Sequence, residues 1–365
     1  MKMTSSQNYK MRWSKVIATG IISLVIFLML VALIEGSVRW LYPEIPPQFS
    51  DRRLFDGHKY GRTYGYKSLA SGEEMGALVM TDEHGFRTSA RSHQRIISQE
   101  HVLVLGDSVS VGVGVEAEQT YPSLLEEKLG KRVLNASVTG YGIVDYAEVL
   151  GHIAGNFKPQ LVIVGICLND VSPTSQANIV TLTRTRTEDV EVSPDERRYP
   201  TLLMRTLRYI NDNYLNFHSF LGSHSRTYVL LKSFAADSAR DHFEADRLYY
   251  RDAKMIEFLS SQFAKLKRSL TDEKVLLFVL FPYEYQLRTG SLEILEPQNI
   301  IKEAGRRAGV TIYDPYEELS EYLKVKRLPS RAIYLFNDPL HFNSVGHHAI
   351  ADLVYRHINQ RQTSR

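Results

Sequence analysis

The 365-residue chain is 44% hydrophobic and 23% charged, with 22 Gly and 13 Pro. That is a globular composition, long enough for one large domain or two ordinary ones. A net charge of +3 with no long basic run excludes nucleic-acid binding through a basic patch, and the single Cys167 excludes a disulfide framework or a multi-cysteine metal site.

The first element is a membrane helix over residues 15–35. No residue from Val16 to Ile34 is charged, and as a helix this stretch spans roughly 28 Å, close to the thickness of a bilayer's hydrocarbon. A cleavable signal peptide is the rival reading, but its apolar region is shorter, and "LIEGSVRW" offers no small-x-small cleavage site. Lys2, Lys10, Arg12 and Lys15 precede the span. The positive-inside rule then leaves residues 1–14 cytoplasmic and exports everything after residue 35, to the periplasm or cell exterior of a bacterium. Cysteine poverty fits that export. Residues 36–100 read as a juxtamembrane connector and lead-in: "YPEIPPQFSDRRLFDGHKYGRTYGY" has room for one short hairpin, "MTDEHGFRTSA" for a turn between short strands, and "RSHQRIISQE" is polar.

From residue 101 the pattern becomes regular. "HVLVL", "RVLNA", "LVIVGI", "VLLFVLF" and the weaker "VTIYD" are short, continuous apolar runs, as expected of strands buried on both faces. Helical patterns alternate with them: "YPSLLEEKLG", "DYAEVLGHIAGNF", "RDAKMIEFLSSQFAKLKRSL", "NIIKEAGRRAG" and a last helix over 344–358. Such alternation predicts a parallel sheet with helices on both faces, and its active site lies beyond the carboxyl ends of the strands. Residues 171 to about 246 break the rhythm after the third strand and read as a lid or insertion over that edge. The end of the chain, 359–365, reads as a solvated basic tail.

The stretch 101–130 runs from strand through a glycine-rich loop to helix, which suits either a phosphate cradle or a nucleophile on a turn. "GVGVEA", Gly112 to Ala117, meets a loose dinucleotide pattern. However, the turn after the strand is Gly106-Asp107-Ser108, so the glycines lie too far along, and no Walker-type lysine is present. A serine nucleophile needs a base, a group to orient it and donors for the oxyanion. Asp338 stands three residues before His341 in "NDPLH", close enough on a turn to reach the imidazole Nδ1 and leave Nε2 for a serine. Gly140 follows the second strand and Asn169 the third, where a bare N–H and a side-chain amide are candidate donors. His347 and His348 face different ways on a helix, and the sequon at 135–137 falls at a buried strand end.

Together Ser108 in "GDS", Gly140 in "NASVTG", Asn169 in "LND" and His341 in "DPLH" resemble, in chain order, the four blocks of the SGNH hydrolase family, or GDSL-type esterases. The run "GDSVSVGVGVEAEQTYPSLLEEKLG" is similar to membrane-anchored bacterial members, in which a segment like Gly85-Phe86-Arg87 commonly precedes the core. The chain departs from the family in its third block, with Cys167 where a glycine is usual.

The resemblance implies an α/β fold: three α/β/α layers around a central, mostly parallel five-stranded sheet of flavodoxin-like type, over residues 101–358. It implies a Ser108-His341-Asp338 triad, an oxyanion hole from the Ser108 and Gly140 N–H groups and the Asn169 side chain, and no metal or organic cofactor. Together with export it suggests O-acyl, above all O-acetyl, esters of an envelope or exported polysaccharide. An O-acyltransferase would use the same residues. A catalytically silent, membrane-tethered scaffold of a polysaccharide-assembly complex is the alternative, and the intact Ser, His and Asp argue against it.

Overall fold

A computed structural model describes residues 5–89, 101–171, 217–270 (except 218 and 236) and 275–363. The polar lead-in "RSHQRIISQE" and much of the expected insertion, residues 172–216, lie outside the described residues.

The first helix, α1, runs from Ser5 to Leu41. Val16–Leu41 contains an 18-residue window with a mean hydropathy of 2.9, none of it buried, so the helix is long and apolar enough to cross a membrane. A hairpin follows, β1 (Phe55–Lys59) against β2 (Arg62–Tyr66), where the connector had room for one. Next come β3 (Ser71–Glu74), β4 (Ala77–Thr81) and β5 (Arg87–Thr88). The regular part then supplies β6 (Val102–Leu105), β7 (Val133–Asn135), β8 (Leu161–Ile166), β9 (Val275–Leu280) and β10 (Thr311–Tyr313).

All but the hairpin form one sheet in the order β10-β9-β8-β6-β7-β5-β4-β3. The five strands expected from the apolar runs are its parallel part. The other three are antiparallel and come from residues read as connector. Arg87 of β5 pairs with Asn135 of β7, and β4 and β3 follow outward. The lead-in thus widens the sheet from five strands to eight. β3 and β5 are short and polar in sequence, and β4, "ALVMT", is apolar but buried only at alternate positions, so none has the long continuous apolar signature of β8 and β9.

Helices between the strands are α2 (Ser108–Val111), α3 (Tyr121–Leu129), α4 (Ile143–Phe157), α5 (Arg226–Ala235), α6 (Ser238–Arg247), α7 (Met255–Arg268), α8 (Glu284–Thr289), α9 (Glu296–Ala308), α10 (Tyr316–Lys326) and α11 (Ser344–Thr363). Helix α3 packs on α11, while α4 and α9 both pack on α7. These are the helical layers of an α/β/α sandwich. The strands between them are fully buried at Val102–Leu105, Val162–Val164 and Leu277–Leu280.

Helix α5, in the region read as an insertion, is tied to the end of α1. The Glu35 carboxylate accepts from the Ser225 hydroxyl (2.9 Å) and from the backbone N–H of Arg226 (2.9 Å) and Thr227 (3.1 Å), donors that the start of a helix leaves without intrahelical partners. Arg39 donates to the His224 carbonyl at 2.7 Å, on the same seam. Charge-assisted bonds of this kind contribute about 2 kcal/mol. Glu35→Ala is therefore expected to raise the detached fraction of α5 roughly thirtyfold, seen as faster limited proteolysis near residue 225. Unchanged cleavage there would mean the seam is not held by this carboxylate.

Candidate active site

Strand β6 ends at Leu105, and the chain turns through Gly106 and Asp107 into α2, which begins at Ser108. Gly106 has no room for a side chain, because a Cβ would collide with the Ser110 hydroxyl. Asp107 caps the short helix, its Oδ1 accepting the Val109 N–H at 3.0 Å. Ser108 is thereby presented at the carboxyl edge of the parallel strands.

The partner loop lies between an isolated bridge, Tyr334 to Phe342, that closes residues 335–341 into a tight excursion. Within it Asp338 Oδ1 accepts the N–H groups of Leu340 (3.0 Å) and His341 (2.7 Å). Its Oδ2 lies 2.8 Å from His341 Nδ1, and His341 Nε2 lies 2.8 Å from Ser108 Oγ. With Nδ1–H donated to the carboxylate, the Nε2 lone pair faces the serine hydroxyl. Burial alone would raise the Asp338 carboxyl, but the facing imidazole and its hydrogen bonds outweigh it and hold the group below the usual carboxylate range. Burial likewise depresses His341, yet Asp338 first, then Asp107 and Glu74, push it above the ordinary histidine value.

Gly140 and Asn169 follow β7 and β8, the strands on either side of β6, so the three turns stand side by side at one edge. Gly140 has φ +80°, a left-handed conformation that glycine takes without strain. The Asn169 turn is held by Asp170, which accepts the Cys167 N–H (3.0 Å) and the Tyr146 hydroxyl (2.9 Å). The Asp170 carbonyl packs against Gly142, where a Cβ would not fit, so this turn rests on the start of α4. Asn169 Oδ1 is buried and has no hydrogen-bond partner among the described residues. Cys167 is buried too, its Sγ donating toward Asp107 Oδ1 at 3.7 Å, and burial pushes the thiol well up. It joins two turns of the site and is no nucleophile.

The glycine-rich loop has a different occupant from a phosphate. The Arg87 guanidinium, fully buried, donates to the carbonyls of Val111 (2.6 Å), Gly112 (2.6 Å) and Val115 (2.7 Å). A loop whose carbonyls converge on a cation has the opposite polarity to a phosphate cradle. Sequence reasoning singled out Gly85-Phe86-Arg87 only as a segment before the core; its arginine fixes the loop that follows the Ser108 helix. His347 is buried against the Tyr121 N–H (3.2 Å), and the sequon residue Asn135 is buried with its Nδ2 on the Ser110 carbonyl (2.9 Å). Among the described residues no three His, Cys, Asp or Glu side chains converge as a metal site would require.

A model of the GDSL-like lipase/acylhydrolase family matches residues 104–349. The chain belongs to this family. Membership makes it an ester-hydrolysing enzyme, and the family match runs from within β6 through β10 and includes Ser108, Gly140, Asn169, Asp338 and His341. Solved structures similar to this GDSL-like acylhydrolase include a lipase/acylhydrolase from Enterococcus faecalis (14% identity, TM-score 0.41, 72% of this chain and 96% of that one). A catalytic mutant of an acetylxylan esterase from Geobacillus stearothermophilus is similar at 15% identity and TM-score 0.39, over 72% and 95% of the two chains. An alpha/beta hydrolase enzyme from the metagenome of Lake Arreo, Spain, has 15% identity and TM-score 0.39, over 71% and 96%. No curated protein matches the sequence.

Proposed function

We propose that this acylhydrolase cleaves O-acyl esters, O-acetyl groups above all, from an envelope or exported polysaccharide, through a Ser108-His341-Asp338 triad. The observation that carries the proposal is the unbroken hydrogen-bonded chain from Asp338 through His341 to Ser108. Ser108 Oγ attacks the ester carbonyl carbon as His341 Nε2 takes the hydroxyl proton. The bond to the alcohol oxygen then breaks as the imidazolium returns that proton to the leaving oxygen. Water repeats both steps and releases the acid. The N–H groups of Ser108 and Gly140 and the Asn169 amide would receive the oxyanion.

Two features support a large substrate outside the cytoplasm. One is the apolar stretch of α1, read as an anchor with the catalytic domain on the exported side. The other is an open cavity of about 1550 Å³ that reaches Asn337 and Asp338 of the triad loop but not Ser108 or His341, with apolar Phe234 and Leu287 beside polar Arg288 and Lys324. That exceeds the roughly 300–1,000 Å³ of small-molecule pockets.

Mass spectrometry of envelope polysaccharide from cells carrying the wild type or Ser108→Ala tests the assignment. The expected result is more O-acyl in the variant. Less acyl would make the enzyme a transferase, and equal acylation would remove polysaccharide as the substrate.

A further inference from the structure

The peptide unit between Thr139 and Gly140 carries two groups that point opposite ways, the Thr139 carbonyl and the Gly140 N–H. Fixing one therefore aims the other. The Thr139 carbonyl is taken by the Tyr64 hydroxyl at 3.3 Å. Tyr64 belongs to the β1–β2 hairpin, is buried, and has its own carbonyl held by the Tyr141 hydroxyl at 2.6 Å. Its ring meets that of Tyr141 edge-on at 5.2 Å.

The Thr139 side chain is held from the same side of the molecule. Its Oγ1 lies 2.9 Å from the Tyr66 hydroxyl and donates to Glu74 Oε2 at 3.3 Å, while Tyr66 donates to that same oxygen at 2.5 Å. Glu74 ends β3 and is fully buried, and its carbonyl accepts the Gly114 N–H at 3.2 Å. Glu74 thus touches the Gly140 turn through its carboxylate and the loop after α2 through its backbone carbonyl. A buried polar residue bonded to both loops limits each to one arrangement.

We propose that Tyr64 and Glu74, two residues outside the family-matched segment, are positioning residues that aim the Gly140 N–H at the oxyanion. This rests on the serine-hydrolase reading of the site. A donor counts only where it meets charge that develops in the transition state, so the aim is felt in kcat and not in KM.

The test uses the full-length protein in detergent, an aryl ester substrate, and a fluorophosphonate to count active sites. Tyr64→Phe removes one hydroxyl, Thr139→Val removes the other end of the Glu74 contact, and Glu74→Gln keeps an acceptor in place. Expected are kcat values per active site lowered roughly tenfold by the first two, a fraction of the roughly hundred- to thousandfold from losing a donor outright. KM should stay within about threefold, and Glu74→Gln should stay close to wild type because its amide oxygen still accepts from Thr139. Tyr60→Phe, which deletes the hairpin's hydroxyl bond to the His84 carbonyl, serves as the structural control and should leave kcat unchanged. If Tyr64→Phe lowers only thermal stability or the number of active sites, with kcat per site intact, the proposal is overturned. A wild type that does not react with the fluorophosphonate overturns the serine reading and this inference with it. Normal wild-type labelling beside unaffected variants removes the inference alone.

Discussion

Ser108→Ala is expected to abolish fluorophosphonate labelling and to lower kcat by about 10⁴- to 10⁶-fold. The size follows from the absence of a substitute. Ser110 is the other hydroxyl on the same turn, but it is fully buried and hydrogen-bonded to the Tyr121 hydroxyl at 2.9 Å. It cannot present Oγ to His341 without unwinding α2. The Cys167 thiol is buried and sits against Asp107, and burial first, then that carboxylate, opposes thiolate formation. What remains is whatever the oxyanion donors and substrate binding achieve with water. Intact-mass spectrometry after labelling and turnover of an aryl ester give the two readouts, and a Ser108→Ala protein that still gains the phosphonyl mass would sink the assignment.

Asp338→Asn is expected to lower kcat by about 10³- to 10⁴-fold while leaving the loop folded. The two N–H groups of Leu340 and His341 can still bond the amide oxygen. The amide NH₂ then faces His341 Nδ1, which must offer its lone pair, so the imidazole proton moves to Nε2 and points at Ser108. The base is present but in the wrong tautomer. The pH profile supplies an independent check. Because the wild-type imidazole is held above the ordinary value of 6.5, its neutral, basic form is lost as pH falls through a midpoint above that value. Asp338 is the largest influence raising His341, so its loss should move the activity midpoint of the variant to lower pH. Asp107, Glu74 and His347 also lie within electrostatic reach of His341 and are unchanged by the substitution, as is Arg87, which acts on Glu74 and His347. A midpoint that stays put would refute this account of the imidazole.

The parts of this fold legible in the sequence are those whose physics is local or two-sided. Val102–Leu105 and Leu161–Ile166 are buried on both faces and so are apolar at every position. The Asp338–His341 pair lies three residues apart on one turn, which is enough to place a carboxylate on Nδ1. The turn between short strands at "MTDEHGFRTSA" was legible, but that β3, β4 and β5 extend the main sheet was not, for the opposite reasons. Glu74 sits in "SGEE", which reads as solvent-exposed, and β5 is two residues long. Tyr64 meets Thr139 across a separation of 75 residues, and Arg87 reaches Gly112 across 25. Nothing in composition or spacing announces such contacts, because each depends on which strand of a sheet ends up beside which.

The three antiparallel strands carry one more consequence. Were the chain to begin at residue 101, the sheet would end on β7, whose Val133 N–H is held by the Glu126 carboxylate but whose Asn135 would lose its pairing with Arg87. Such a rim recruits further strands from other molecules. The lead-in moves the rim outward to β3, with Glu73 exposed on it, and covers that strand in turn: the Asp51 N–H bonds the Glu73 carbonyl at 2.8 Å and the Met75 N–H bonds the Phe49 carbonyl at 2.7 Å. A version beginning at residue 101 is therefore expected to self-associate more than the full chain, even with Ser108, His341 and Asp338 in place.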